Sequence, residues 1–132
     1  MSAPPLRTRA ESGLRDRREG RFAEAVAALW LMLKGYQILG FRLKTPSGEI
    51  DLLARKGRTL AVVEVKRRAT VEIALASIGS KQRERLIRAA RALASRRASL
   101  RQLALRLDLI ALAPGRLPRH VPNIFNDLDR SG

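Results

Sequence analysis

The chain has 132 residues, a length that suits one domain with a core of useful size, and 45% of its residues are hydrophobic. It contains no cysteine, which excludes disulfides and thiolate metal sites. Twenty-seven Lys and Arg residues against twelve Asp and Glu give a formal net charge of +15. Such an excess favours a polyanionic partner, above all nucleic acid, although the ribosome and anionic surfaces remain competing targets.

The apolar and aromatic residues indicate where the protein is located and how it would bind a nucleic acid. The longest apolar run, residues 22–33, is interrupted by Glu24 and is too short to span a bilayer, so we expect a cytoplasmic protein with no membrane partner. One Trp, one Tyr and three Phe make a platform that stacks several bases unexpected. Contacts to a nucleic acid should therefore fall mainly on its backbone.

The N-terminal third predicts a tail and a helix. Residues 1–10 contain two prolines and no periodic pattern, which predicts a mobile tail ahead of a single domain over residues 11–132. A helix should end near Lys34, because Gly35 suits a C-terminal cap. Alanines surround its large apolar residues, so we expect burial on more than one side. The stripe at helical spacing is Phe22, Val26, Leu29, Trp30 and Leu33.

Three strands, a helix and a fourth strand follow. The strands are predicted at residues 36–43, with a bulge at Gly40, and at 49–54, 59–66 and 105–112. A helix over residues 79–97, capped by Ser80, should bury one face and expose Lys81, Arg88 and Arg91. The predicted buried residues are Leu86, Ile87, Ala90, Leu93 and Ala94. The order α-β-β-β-α-β predicts an α/β fold, a central mixed sheet flanked by helices.

The second and third strands form a hairpin with an unusual set of charges. With the turn centred on residues 56–57, Glu49 faces Glu64 while Asp51 becomes a diagonal neighbour of Glu64. Lys66 shares their face, and Ile50, Leu52, Val63 and Val65 fill the other. Crowded carboxylates repel, and Mg²⁺ would neutralise them through oxygen ligands. Carboxylates, a metal and a lysine are the groups that hydrolyse a phosphodiester.

Simpler interpretations stay open at this point. The hairpin acids would also be explained by solvent-facing side chains in cross-strand ion pairs, although the apolar setting AVVEVK argues against that for Glu64. Glu24 is the only charge in residues 22–33. It is either a first-turn acid favoured by the helix dipole or a further carboxylate that reaches the same metal site.

These residues carry a resemblance. Asp51 with Glu64-Val65-Lys66 resembles the D…(D/E)-x-K signature of the restriction-endonuclease-like superfamily. More closely, the chain resembles the bacterial YraN-like family, for which endonuclease activity is expected. The matching segments are Gly20…Ala23-Glu24, Gly35-Tyr36, GEIDLLA (48–54), VVEVKRR (62–68), Lys81, RLDLIAL (106–112) and His120…Asn123-Ile124-Phe125.

The resemblance implies roles for individual residues. Asp51 and Glu64 would be metal ligands, joined by the main-chain carbonyl of Val65, and Lys66 would be the catalytic lysine. Glu24 matches the helix acid that resolvase-like members place at the metal, which reverses the dipole interpretation. Glu49 belongs to the motif and would support the metal shell or bind structural water. The implied cofactor is Mg²⁺, with Mn²⁺ as a substitute.

Two departures from the family pattern stand out. An Asn usually precedes GEID by a few residues, where this chain has Arg42. Ile50 precedes Asp51, so the Pro-Asp pair of the superfamily signature is missing. Gln82 points back towards the site if the second helix follows the family, but Leu86 stands where the superfamily's glutamine motif has a tyrosine.

Basic side chains outside the signature are candidates for nucleic-acid binding. The candidates are Lys44, Arg67, Arg68, Lys81 and Arg88. The alternative is that they only solvate strand ends and a helix face. Asp108 lies within a predicted strand and is expected to be structural. His120 has no neighbours in the sequence that would make it a nucleophile or a metal ligand.

The sequence thus predicts a Mg²⁺-dependent endonuclease that hydrolyses DNA or a branched nucleic acid. The alternative is a non-catalytic nucleic-acid-binding module that retains the nuclease fold. Clustered acids favour the first, because a pure binder has no need for groups that repel phosphate. A homodimer would pair two sites for a double-strand cut.

Overall fold

The computed structural model describes residues 9–124, and side chains from residue 18 onward. In chain order its elements are α1 (Arg9–Leu33), β1 (Gln37–Thr45), β2 (Gly48–Lys56), β3 (Thr59–Arg67), α2 (Val71–Ala76), α3 (Ser80–Ser95), β4 (Ala104–Leu112) and β5 (Arg119–Val121). Of the predicted tail, residues 1–10, only Arg9 and Ala10 are described, as the start of α1. Residues 125–132 of the predicted domain lie outside the described range.

The strands form one open sheet in the order β1-β2-β3-β4-β5. Three neighbouring pairs are antiparallel, and β3 with β4 is parallel, so the chain crosses through α2 and α3 between those two strands. The predicted mixed sheet flanked by helices is confirmed. The order differs from the prediction by two short elements, α2 and β5.

Helices cover both faces of the sheet. On one face, α3 packs through Leu86 and Ala90 on a core that includes Leu53, Leu60 and Leu107. On the other face, α1 packs on a second core made of Ala27, Leu31, Leu52, Val63 and Ile110 with their neighbours. Both faces of β2 and β3 are therefore buried. Any charged group on these strands must lie near their ends or find a partner.

The orientation of α1 differs from the prediction. Phe22, Leu29 and Leu33 are 72%, 58% and 73% exposed, so the expected burial of the large apolar stripe is wrong for these three residues. Val26 and Trp30 of the same stripe are half-buried. The helix packs instead through a row of small side chains, Ala23, Ala27 and Ala28, with Leu31. Small residues let the helix backbone approach the sheet closely, and this leaves the bulky side chains on the outer surface.

The hairpin register also differs from the prediction. Lys56 pairs with Thr59 and Leu52 with Val63, so the turn is centred on residues 57–58 and the register is shifted by two. A shift of two keeps every side chain on its face. The β2–β3 pairs end at Leu52–Val63, and Asp51 and Glu64 are the next residues on the two strands. They are direct neighbours where the strands part rather than diagonal ones.

The predicted apolar face is also divided. Leu52 and Val63 belong to the core under α1, with Val65 packed against it, whereas Ile50 belongs to the core under α3. The predicted single face is therefore wrong for Ile50. All four side chains are buried or partly buried.

The predictions for the bulge in β1 and for the ends of the helices have different outcomes. The bulge is confirmed, because the β1–β2 register shifts between Ile38 and Gly40. Gly35 follows α1 with a φ of +94°, a conformation that glycine adopts without strain. The predicted cap of α3 is wrong: Gly79 is the N-cap, with no side-chain hydrogen bond, and Ser80 is the first helical residue.

In the described part of the chain, no helix is long and apolar enough to cross a bilayer.

Candidate active site

A pocket of about 280 Å³ lies where β2 and β3 part, beneath the middle of α1. We call it the catalytic pocket after the predicted role of its side chains, and it collects residues that are distant in the sequence. Its lining is Gly20, Ala23, Glu24, Asp51, Glu64, Val65, Lys66, Arg67 and Arg68. Four predicted catalytic side chains, Glu24, Asp51, Glu64 and Lys66, thus meet in one cavity.

Asp51 is fixed by the strand opposite. Its Oδ2 accepts a hydrogen bond of 3.0 Å from the backbone N–H of Val65, a group that the ladder leaves free once the β2–β3 pairs have ended. The contribution of Val65 seen here is its N–H, and its carbonyl role remains a prediction. This bond holds the Asp51 carboxylate beside Glu64 in the fork, the place where β2 and β3 part.

Glu64 is almost closed off from solvent, at 6% exposure. The ammonium of Lys66 lies 3.3 Å from its Oε1, and the side-chain amide of Gln82 donates to the same oxygen at 3.2 Å. Gln82 belongs to α3, so the site joins both helical layers through the sheet. Gln82 does point back towards the site, although the superfamily's glutamine motif is incomplete here.

Burial and mutual repulsion govern the protonation of the two central acids. Burial, then the charge of Asp51, raises the pKa of Glu64 to about 7. Burial also raises the pKa of Asp51, although the Val65 N–H and a hydrogen bond from Glu64 oppose the shift. The two carboxyl groups thus behave as a pair in which burial and the charge of Asp51 oppose the ionisation of Glu64.

Glu24 enters the pocket from α1 and meets Arg42 of β1. The guanidinium Nε lies 2.9 Å from Oε2 of Glu24, but it is not aligned as a hydrogen bond, and this buried oxygen has no hydrogen-bond partner in the described structure. Burial raises the pKa of Glu24 despite Arg42, and the charges of Asp51 and Glu49 raise it further. Arg42 has a φ of +45°, a region where non-glycine residues are uncommon.

The donor set fits a hard divalent cation. Three carboxyl groups with raised pKa values share one small pocket, and a buried carboxylate oxygen lacks a hydrogen-bond partner. Oxygen ligands of this kind suit Mg²⁺ and Mn²⁺. In residues 18–124, no group of three or more His, Asp or Glu side chains is already arranged as a metal cage. The third acid, Glu24, is engaged by Arg42 instead.

The other predicted residues fall into three places. Arg67 and Arg68 line the catalytic pocket, and Arg67 makes a 2.9 Å ion pair with Glu19. Glu49 and Lys44 are exposed partners on β2 and β1, outside the pocket lining. Lys81 and Arg88 line a separate basic groove of about 410 Å³, completed by Pro46, Ser47, Glu84 and Arg85.

A buried polar network lies further along the sheet. Asp108, fully buried, accepts two 2.8 Å hydrogen bonds from Arg106 and one of 3.0 Å from the backbone N–H of Asn123. His120 Nε2 lies 2.7 Å from its Oδ2. Burial alone would raise the pKa of Asp108, but the bonds from His120 and Arg106 hold it below its usual value. A structural role for Asp108 fits these contacts.

Sequence reasoning missed several members of these sites. Arg42 was noted only as a departure from the family pattern, and its pairing with Glu24 depends on how α1 lies across the sheet. Arg85 follows Lys81 by one helical turn, a spacing that would have placed it in the basic groove. His120 had no signal in its own segment, because its partner Asp108 is twelve positions away on another strand.

Comparison with known proteins places the chain in a family. It is 64% identical over 117 residues to a UPF0102 protein of Caulobacter vibrioides (strain NA1000 / CB15N), covering 89% of this chain and 94% of that protein. It is 47% identical over 128 residues to the UPF0102 protein amb4503 of Paramagnetospirillum magneticum, covering 94% and 96%. The model of the uncharacterised protein family UPF0102 matches residues 23–112, which include every lining residue of the catalytic pocket except Gly20. The chain therefore belongs to the UPF0102 family.

Proposed function

We propose that this protein is a Mg²⁺-dependent endonuclease of the restriction-endonuclease-like superfamily, related to the YraN-like proteins, that hydrolyses phosphodiester bonds in DNA or a branched nucleic acid. One observation carries the proposal: a single small pocket unites Asp51, Glu64 and Lys66 with Glu24 from a separate helix. Clustered acids at the fork of a hairpin repel phosphate unless a cation lies between them.

Each residue then has a distinct task. Asp51, Glu64, Glu24 and the carbonyl of Val65 would hold Mg²⁺ or Mn²⁺. When bound, the metal would activate a water molecule and neutralise charge on the phosphate. Lys66, already 3.3 Å from Glu64, would orient that water and stabilise charge that develops on the phosphate oxygens. Glu49 is exposed, and its negative charge adds to the field at Glu24 and Asp51.

The basic side chains would bring the phosphate backbone to this pocket. Arg67 and Arg68 lie in its lining. Lys81 and Arg88 border the basic groove on α3, Lys81 directly before Gln82 and Arg88 farther along the helix. Lys44 is exposed on the neighbouring hairpin. Contacts of this kind position a nucleic acid without reading its sequence. A single pocket cuts one strand, so cleavage of both strands would require a second copy of the chain.

A cleavage panel tests the proposal. Linear, supercoiled, single-stranded and branched substrates are incubated with Mg²⁺ or Mn²⁺ and with wild type, Asp51→Asn or Lys66→Met. We expect cleavage by wild type and a loss of about a hundredfold or more in each variant. Glu72→Gln, which changes an exposed acid on α2, is the matched control and should cut like wild type.

Two results would contradict the proposal that this pocket is the active site of a nuclease. If wild type binds the substrates but cuts none of them, the protein is a nucleic-acid-binding module that retains the fold. If Asp51→Asn retains full activity, cleavage arises from another site or from a contaminant.

A further inference from the structure

A second cavity, of about 740 Å³, opens beside the catalytic pocket. It lies between α1 and the segment that follows β4, and it shares Ala23, Arg67 and Arg68 with the catalytic pocket. A ligand that fills one cavity therefore touches the wall of the other. The apolar cleft, as we name it, has a size typical of small-molecule sites.

The floor of the apolar cleft suits a flat, apolar ring. Its residues are Phe22, Val26, Leu112, Pro114 and Pro118, with small alanines between them. Phe22 is 72% exposed, so the ring presents a free face at a position where α1 faces the cleft. An aromatic face of this kind stacks on any nucleobase, because every base has a π-face.

The rim of the apolar cleft is cationic. Four arginines border it, Arg18, Arg67, Arg68 and Arg116. The single acid in the lining is Glu19, which forms an ion pair with Arg67 at 2.9 Å. The occupant should therefore combine an apolar ring with negative charge. A second copy of this chain, at +15, is a poor match for such a rim.

We propose that the apolar cleft holds one unpaired nucleotide next to the phosphate in the catalytic pocket, with its base on Phe22 and its phosphate among the rim arginines. The inference rests on the proposed function and names its substrate class, a nucleic acid with a single-stranded stretch. A base inside a duplex is stacked and paired, so its face is closed to the cleft unless it is first flipped out. One exposed Phe serves one base, which agrees with the low aromatic content.

Binding without metal tests this inference separately from catalysis. Fluorescence anisotropy in EDTA compares a labelled thymidine octanucleotide with an abasic octamer of the same length and charge. We expect wild type to bind the thymidine probe about tenfold more tightly, the effect of one stacked base. Phe22→Ala should lose this preference, whereas Leu29→Ala, an exposed residue of α1 outside the cleft, should keep it. Arg116→Ala should weaken both probes alike.

Three results overturn the inference. They are equal binding of both probes by wild type, survival of the preference in Phe22→Ala, and competition by a blunt duplex as strong as that by the single strand. Capture by anionic lipid vesicles that depends on Phe22, with no base preference, would assign the cleft to lipid instead. A base preference in a protein that cuts nothing contradicts only the proposed nuclease. Cleavage that depends on Asp51 without a base preference contradicts only the present inference.

Discussion

Glu64 keeps a carboxyl group at a position that water scarcely reaches. In the folded protein its pKa is about 7, whereas a free glutamate titrates near 4.5. Between these two values the folded state binds more protons than the unfolded state, so stability falls as pH rises through this window. The difference corresponds to about 3 kcal/mol once both states are ionised. The charge that would hold a metal therefore opposes folding when the metal is absent.

Glu64→Gln should remove this pH dependence. In EDTA at about pH 8 we expect the variant to be more stable than wild type by up to about 3 kcal/mol, because the amide carries no charge to bury. Near pH 4.5 the two proteins should differ little. Urea unfolding at both values measures the effect, and Glu72→Gln on the exposed face of α2 is the control. An equal offset at both pH values would contradict the explanation.

Arg42 occupies the place of a counter-cation for Glu24. The two groups lie 2.9 Å apart, and the arginine has a φ of +45°. A divalent ion that recruits Glu24 must displace or outweigh this guanidinium. The affinity of the pocket for metal is therefore set partly by a residue outside its lining.

Arg42→Asn should strengthen Mn²⁺ binding about fivefold, because one positive charge near the acids is removed and asparagine tolerates a positive φ. Titration of Mn²⁺ by electron paramagnetic resonance or calorimetry gives the affinity directly, without any cleavage assay. Arg58→Asn, at the exposed turn between β2 and β3, changes the net charge equally and should leave the affinity near that of wild type. Equal affinities in all three proteins would rule out the competition.

At the scale of elements, β5 shows how a very short strand is held. It has three residues, and within residues 9–124 it pairs with β4 alone. Its His120 contacts the buried Asp108, and the backbone of Asn123 donates to the same carboxylate. The lowered pKa of Asp108 means that this stabilisation is present above pH 3.8 and is lost as pH falls further.

Asp108→Asn should cost about 3 kcal/mol of folding stability, because it leaves the partly buried Arg106 without its anion. His120→Ala should cost about 1 kcal/mol, the typical contribution of one hydrogen bond. Chemical unfolding at neutral pH measures both. Arg119→Ala, an exposed neighbour on β5, is expected to stay within 0.5 kcal/mol of wild type, as surface changes usually do. If Asp108→Asn leaves the free energy of unfolding unchanged, the polar network does not hold β5.

The same elements show what the sequence could and could not reveal. Long elements with a clear period, such as β2, β3 and α3, were found within one or two residues. The six-residue α2 and the three-residue β5 are too short to show a period. In residues 22–33 of α1, apolar side chains lie on nearly every side, so periodicity could not decide which side packs on the sheet. The hairpin register moved by two because the turn begins at Gly57.

The candidate site was predictable in its local part. Asp51, Glu64 and Lys66 lie on one hairpin, where alternation alone brings them together, and the single acid within AVVEVK is conspicuous. Glu24 came from resemblance, because no spacing rule links α1 to the fork. Arg42 and Gln82 are set by the packing of β1 and α3, which no local pattern encodes.

At the scale of the whole molecule, positive charge is distributed over several surfaces. The basic groove carries Lys81, Arg85 and Arg88, and the apolar cleft has its own arginine rim. Binding to a polyanion should therefore be strongly salt dependent, since each phosphate contact releases counterions. The slope of log K against log salt counts these contacts.

Removing the groove charges should reduce that slope by a known amount. Arg85→Ala with Arg88→Ala is expected to lower its magnitude by about 2 on duplex DNA, one per lost contact. Arg96→Ala with Arg97→Ala removes the same charge from the exposed far end of α3 and should change the slope much less. Anisotropy titrations from low to high salt provide the measurement. Equal slopes for the two double variants would mean that the groove does not contact DNA.

The topology of the sheet has a consequence for the order of folding. The β1-β2-β3 meander closes through neighbouring segments, whereas β4 must return past two helices to lie parallel to β3, joining Thr59 to Ala104. Local closures form faster than distant ones, because less chain entropy is lost. Asp51 and Glu64 should thus meet in a hairpin that forms early, before β4 and its buried Asp108 arrive. On this order the repulsive acids should be assembled first, and the late docking of β4 and β5 should then supply the packing that keeps them together.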